Sequence, residues 1–170
     1  MKGKSGRLPV RDESDYEWYF RAFFTEVART VFLIIHDRSR AEDLAQEAFV
    51  QMLRHWRTVA TYERPEAWVR RVAIRLAIHE LNREGKRKGK EILAQDRRYD
   101  QLPDPYVARA VSELAPMQRA AVVLHYWEDQ PVREIARVLR VSESTIKQHL
   151  HRARIHLAKR LAEEVSSDVD

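Results

Sequence analysis

The chain has no cysteine, which excludes disulfides, thiolate nucleophiles and cysteine-ligated zinc together. Glycine is nearly as scarce: there are four in 170 residues, and Gly3, Gly6, Gly85 and Gly89 all lie outside the stretches that show hydrophobic periodicity. No glycine-rich loop is therefore available to cradle a phosphate within an ordered element. Long apolar runs are missing as well, since "VFLII" at residues 31–35 falls far short of the roughly 20 residues needed to cross a bilayer. The basic N-terminus "MKGKSGRLPVRDESD" leads into no secretory apolar segment. The expectation is a cytoplasmic protein that does not insert into a membrane. Strand-type alternation is also lacking, and the segments poor in glycine and β-branched residues read as helices, so the expected fold class is all-α.

What remains is rich in charge. Hydrophobic residues make up 44% of the chain and charged residues 34%, against about 25% charged in an average globular protein. The chain can bury a core while carrying a formal net charge of +5, which favours a polyanionic partner. Gly85 and Gly89 in "NREGKRKGKE", followed by Pro103 and Pro105 in "QLPDPY", mark residues 84–104 as a linker. It separates a helical unit at 12–83 from a second at 105–163, each small.

In the first unit, Tyr16, Phe20, Phe23, Phe24, Val27, Val31 and Ile34 share one helical face, with Asp12 or Ser14 as the cap. A second helix starts near "DRSRAEDL", where Ser39 and Glu42 have capping-box spacing. Its inward stripe is Leu44, Ala48, Phe49, Met52 and Trp56, and its outward face is Asp43, Gln46, Glu47, Val50 and Arg54. The third helix, from about Pro65, turns Val69, Val72, Ala73, Leu76 and Ala77 inward. Along a different edge run Trp68, Arg71, Arg75, His79 and Asn82, a basic stripe headed by an aromatic.

In the second unit, Val107, Val111 and Leu114 mark one helix, and Pro116 opens the next, whose body is "MQRAAVVLHYW". After a break at "EDQP", the segment "PVREIARVLRVSESTIKQHL" reads as a helix-turn-helix. Ile135, Ala136 and Leu139 point inward, Arg140 and Val141 form the turn, and Ser142 caps the following helix. That helix repeats Ile146, Leu150, Ala153 and Leu157 on one stripe, and carries Ser144, Gln148, His151 and Ile155 on the opposite one, flanked by Lys147 and Arg152. A solvated face is the simpler reading of an isolated amphipathic helix. The short helix and turn in front of it favour a helix that enters a DNA major groove. There Lys and Arg suit guanine acceptors and Gln suits adenine, while the hydroxyls of Ser142, Ser144 and Thr145 suit phosphates. Arg154 is assigned to a phosphate and His149 to the same surface. His149, His151 and His156 make a poor metal site, because they project in different directions on one helix without a cysteine to help. No enzyme chemistry and no cofactor are expected.

Three segments, "RAEDLAQEAFVQMLRHW", "PEAWVRRVAIRLAIHELNRE" and "PVREIARVLRVSESTIKQHLHRARIHLAKRL", together resemble the bacterial sigma factors of the extracytoplasmic-function group, in the same order and spacing and over roughly residues 15–162. The resemblance implies a region-2 helical domain and a region-4 helix-turn-helix domain joined by a flexible linker. It implies a factor that binds core RNA polymerase, through its clamp helices and flap, and delivers it to promoter DNA. By position, Asp43, Gln46, Glu47 and Val50 would dock on the clamp helices. Trp68, Arg71, Arg75 and His79 would read and open the downstream element, and the face of the last helix would read the upstream one. An anti-sigma partner is common in such a family. The linker cluster Arg83, Lys86, Arg87, Lys88 and Lys90 would touch nucleic acid or act only as a solvated tether.

The sequence departs from the family pattern at informative places. Arg75 stands where Asn is common and His79 where Asp is. Arg140 replaces the usual Gly of the turn, Ser144 a frequent Gly before Thr, and "QHL" the usual "SRL". The contact positions survive while their letters change, so no consensus promoter transfers. A stand-alone helix-turn-helix regulator is the competing class. Its sensor domain would have to be the first unit, which lacks the strand-helix alternation of a receiver and whose outward face would have no role.

Overall fold

The computed structural model describes residues 13–84 and 104–167, and among these there are eight helices and no strand. Helix α1 spans Glu13–Ile35, α2 Arg38–Arg54, α3 Trp56–Val59 and α4 Pro65–Glu84. After the linker come α5 Pro105–Ser112, α6 Pro116–Tyr126, α7 Val132–Leu139 and α8 Glu143–Ser167. Of the linker cluster, Lys86, Arg87, Lys88 and Lys90 lie outside the described residues, while Arg83 donates to Glu80.

The periodic stripes bury as their spacing requires, with local corrections. Val27, Val31 and Ile34 of α1 are fully buried, whereas Phe20, Phe23 and Phe24 are half-buried at its N-terminal end. Tyr19, absent from the expected stripe, is buried, with its ring stacked 5.8 Å from Phe23 and edge-on to Trp56. Its spacing of three from Tyr16 and four from Phe23 places it on the same face. Because α1 already begins at Glu13, Ser14 lies inside the helix and is not its cap; Asp12 lies outside the described residues.

The second helix begins earlier than its capping-box spacing implies. Asp37 is the cap, its carboxylate accepting the Arg40 N–H at 2.9 Å, so Ser39 sits in the first turn and does not cap. The chain reaches Asp37 through His36, whose φ of 56° turns it out of α1. At the other end α2 stops at His55, and Trp56, expected on its inward stripe, is buried from the separate turn α3 instead. A two-pronged ion pair fastens α2 to α4: Arg40 Nε and Nη2 donate to Oε1 and Oε2 of the buried Glu80 at 2.8 and 2.9 Å. The Arg40 hydrogen bond holds the Glu80 carboxyl below its usual range.

In the second unit Asp104 caps α5 by accepting the Tyr106 N–H at 2.9 Å, and Pro116 opens α6 as expected. Residues 120–124 of α6 are all buried, which makes it the central helix of this unit, with α8 packed across α5, α6 and α7. The two units do not stand apart. Helix α6 packs on α1 and α4, α7 packs on α4, and the buried apolar residues of both units form one continuous core.

Candidate nucleic-acid interface

The helix-turn-helix forms around a residue that disfavours its own backbone. Arg140 ends α7 with φ 56° and ψ 45°, the left-handed region where a Cβ costs about 1 kcal/mol relative to glycine. The turn is closed by the Val141 N–H donating to the Ala136 carbonyl at 3.1 Å, the six-to-one bond of a Schellman turn, on a carbonyl that also accepts the Arg140 N–H. Ser142 then caps α8, its Oγ accepting the Thr145 N–H at 3.1 Å. The Ser144 and Thr145 hydroxyls lie 2.9 and 2.8 Å from that same oxygen. Three hydroxyls thus gather at the positive end of a long helix, chemistry that suits a phosphate.

Beyond the cap, Ile146, Leu150 and Ala153 are buried against α5, α6 and α7. Ser144, Lys147, Gln148, His151, Arg152, Arg154 and Ile155 are exposed on the remaining surface. Thr145 and His149 are half-buried, at the margin of that face and not on it. Burial, with the Arg152 charge beside it, lowers the His149 imidazole pKa from its ordinary value. The three histidines of α8 go to different surroundings, for His156 lies 3.3 Å from Glu113, which also receives Arg160 at 2.6 Å. One residue here escaped the sequence reading. Tyr126, half-exposed at the end of α6, accepts the Arg154 Nε–H at 2.7 Å and holds that guanidinium over the rim of the α8 face. Its only signal was a tyrosine closing an otherwise apolar run.

The α4 edge is also assembled, though part of it is occupied. Trp68 is half-buried, packs on the core and has its ring 6.1 Å from that of His55. Arg71 donates back to the Ala67 carbonyl at 3.3 Å, and His79 and Asn82 are exposed. Arg75 does not point to open solvent: its Nε donates to the Val138 carbonyl of α7 at 3.2 Å. Burial, then the nearby charges of Arg140 and Arg71, hold its pKa below the usual guanidinium value.

On α2, Asp43, Gln46, Glu47 and Val50 are all exposed and line one shallow groove with Gln51 and Arg54. Val50 is 40% exposed, and the neighbouring Leu53, which the sequence reading left aside, is 47% exposed. Two aliphatic side chains of α2 thus face outward, Val50 among the carboxylates and amides of the groove, a composition that internal packing does not require. No helix among the described residues is long and apolar enough to cross a membrane.

Comparison with known proteins places the chain in a family. The family model described as Sigma-70 region 2 matches residues 19–87, and that described as Sigma-70, region 4 matches residues 106–157. The chain is 32% identical to an RNA polymerase sigma-E factor of Streptomyces avermitilis, over 92% of this chain and 88% of that protein. It is 25% identical to the ECF RNA polymerase sigma factor SigX of Bacillus subtilis, over 92% and 90% of the two chains. In fold it is similar to the sigma factor RpoE of Bartonella quintana, solved in complex with the anti-sigma factor NepR, with a TM-score of 0.68, 17% identity, and coverage of 88% of this chain and 98% of that one. The chain belongs to the sigma-70 family of RNA polymerase sigma factors, in its extracytoplasmic-function group.

Proposed function

We propose that this sigma factor works in the cytoplasm, without catalytic chemistry of its own, by docking on core RNA polymerase through Asp43, Gln46, Glu47 and Val50 of α2. Docked there, it reads the upstream (minus-35) promoter element with α8 and opens the downstream (minus-10) element with the α4 edge. The observation that carries the reading is the α2 groove, where exposed Val50 sits among Asp43, Gln46 and Glu47 on a helix whose opposite face already supplies its core. Lys147, Gln148, His151 and Arg152 reach base edges, and the Ser142, Ser144, Thr145 and Arg154 groups hold backbone phosphates, with His149 at the margin. Trp68 stacks on an unpaired base of the melted strand while Arg71 and Arg75 hold its phosphates and His79 borders them. The family resemblance adds the polymerase flap as a contact of the second unit, and an anti-sigma protein as a candidate partner.

One small helix-turn-helix offers few base contacts, so the free chain binds promoters weakly; polymerase fixes the spacing of two weak readers and makes them one strong one. Gln46→Ala combined with Glu47→Lys should leave helix content intact and abolish both co-purification with core polymerase and promoter-directed transcription. Tight, specific promoter binding by the free wild-type chain, unchanged by the double substitution, would overturn the reading.

A further inference from the structure

Tyrosine and arginine meet at the end of α6 in an arrangement that uses one donor and leaves several others unspent. Arg154 Nε donates to the Tyr126 oxygen at 2.7 Å, and its guanidinium carbon lies 5.9 Å from the centre of that ring. The phenol ring also meets His125, 4.8 Å away and edge-on, whose Nδ1 lies 3.3 Å from the Gln130 carbonyl oxygen. Both side chains are thus oriented while they stay exposed. A phenol that accepts through its oxygen still has its own hydrogen to give, and among the described residues nothing takes it or the Arg154 Nη hydrogens. Accepting from a cation polarises the O–H and makes it a better donor. Two other arginines of the same unit are engaged differently. Arg137 donates to Glu134 at 2.7 Å, and Arg160 gives Nε and Nη2 to Glu113 at 2.6 and 2.7 Å and Nη1 to Glu163 at 2.8 Å. Arg154 has only a neutral partner, so its charge is directed but not compensated. Open carbonyls at this end of α6 would repel an anion, but Val123 accepts from Trp127 and Glu128 and Leu124 accepts from Gln130. Exposed Lys147, seven positions before Arg154, lies two turns away on the same flank of α8.

We propose that Tyr126 and Arg154 together form a site for one backbone phosphate at the edge of the upstream element, the phenol O–H and the guanidinium Nη groups donating to its two non-bridging oxygens. The proposal rests on the reading of α8 given above and adds to it a DNA contact from α6, outside the helix-turn-helix. Tyr126 is then a ligand to DNA in its own right and not only a prop for Arg154. Such a contact carries no base information and fixes the register of α8 along the duplex.

The test is binding of holoenzyme to a duplex bearing the upstream element it selects from a randomised pool, with one phosphate at a time replaced by a neutral methylphosphonate. One position should cost the wild type about tenfold, the weight of a lost charge-assisted contact. At that position Tyr126→Phe and Arg154→Ala should each lower the cost to about threefold, because each keeps one donor group, and the double variant should show none. On unmodified duplexes Tyr126→Phe, which keeps the ring beside His125, should weaken every upstream sequence alike by several-fold. Each phosphate sensitivity is a ratio measured on one protein, so a change in the folded fraction of a variant cancels from it. Full tenfold sensitivity retained by Tyr126→Phe would remove the phenol from the site. Complete loss of sensitivity in Arg154→Ala alone would show that Tyr126 acts only through the arginine, and would overturn the shared site as well. A wild-type map without any sensitive phosphate in the upstream element overturns the reading of α8 and the site with it, whereas sensitive phosphates that neither variant alters remove this site alone.

Discussion

Arg152 and Arg154 stand two positions apart on α8, and their surroundings assign them different work. Arg152 is exposed beside Gln148 and His151 on the open face, free to present a fork of donors to a guanine edge. Arg154 is held through its Nε by the Tyr126 hydroxyl, leaving the outer nitrogens for a rim contact with the backbone. With holoenzyme, Arg152→Ala should change which upstream sequence is preferred, by about 1–3 kcal/mol of discrimination. Arg154→Ala should weaken all sequences alike and lower the slope of log affinity against log salt by nearly one. Binding measured on a set of upstream variants at several salt concentrations separates the two. Equal losses on every variant for Arg152→Ala would move that residue to the phosphate class.

At the scale of the element, the turn between α7 and α8 is the place where the chain departs from its own conformational preference. Arg140 adopts φ 56° so that Ser142 can cap α8 and the hydroxyl cluster can form. Glycine there relieves a Cβ clash worth about 1 kcal/mol, less a few tenths for the greater freedom of the unfolded chain. Arg140→Gly should therefore raise the unfolding midpoint by a few degrees, whereas Arg140→Ala, which keeps the Cβ, should not. Equal midpoints for the two variants in a thermal melt would show that the side chain, and not the backbone angle, sets the effect.

At the scale of the whole molecule, stability depends on the junction of the two units. His36 closes α1 next to Arg119 of α6, and burial, reinforced by the Arg119 charge, pushes its imidazole down to about 4 from the ordinary 6.5. Because the folded pKa is depressed, the unfolded chain takes up the proton first as pH falls. The stabilisation is complete above pH 6.5 and is lost progressively towards pH 4. Between pH 7.5 and 5 the loss amounts to about 2 kcal/mol. Denaturant unfolding at these two pH values should show it, and His36→Asn, which tolerates the left-handed backbone but cannot titrate, should flatten the difference even if it lowers stability at both. An unchanged slope in that variant would place the pH dependence elsewhere.

Much of this was legible along the chain. The stripes Val27, Val31, Ile34 and Ile146, Leu150, Ala153 bury as their spacing requires, because helical period and apolar burial are local facts. The polar face of α2 and the exposed face of α8 followed by subtraction, and the Ser142 cap lies three residues from the N–H it accepts. Less was decided locally at helix ends, where Asp37 displaced Ser39 as cap and His55 cut Trp56 away from α2, since competing donors and acceptors there differ by little. Glu128, Arg119 and Tyr126 carried no periodic signal at all. Their partners Thr30, Ile34 and Arg154 lie 98, 85 and 28 residues away in the chain. Composition and period by themselves determined the helices, their inward faces and the chemistry left outside. Only the tertiary structure decided that α6 and α7 sit on α1 and α4 and that Arg75 is turned to a carbonyl of α7, because a hydrogen bond depends on which atoms folding brings within about 3 Å and not on how far apart they stand in sequence.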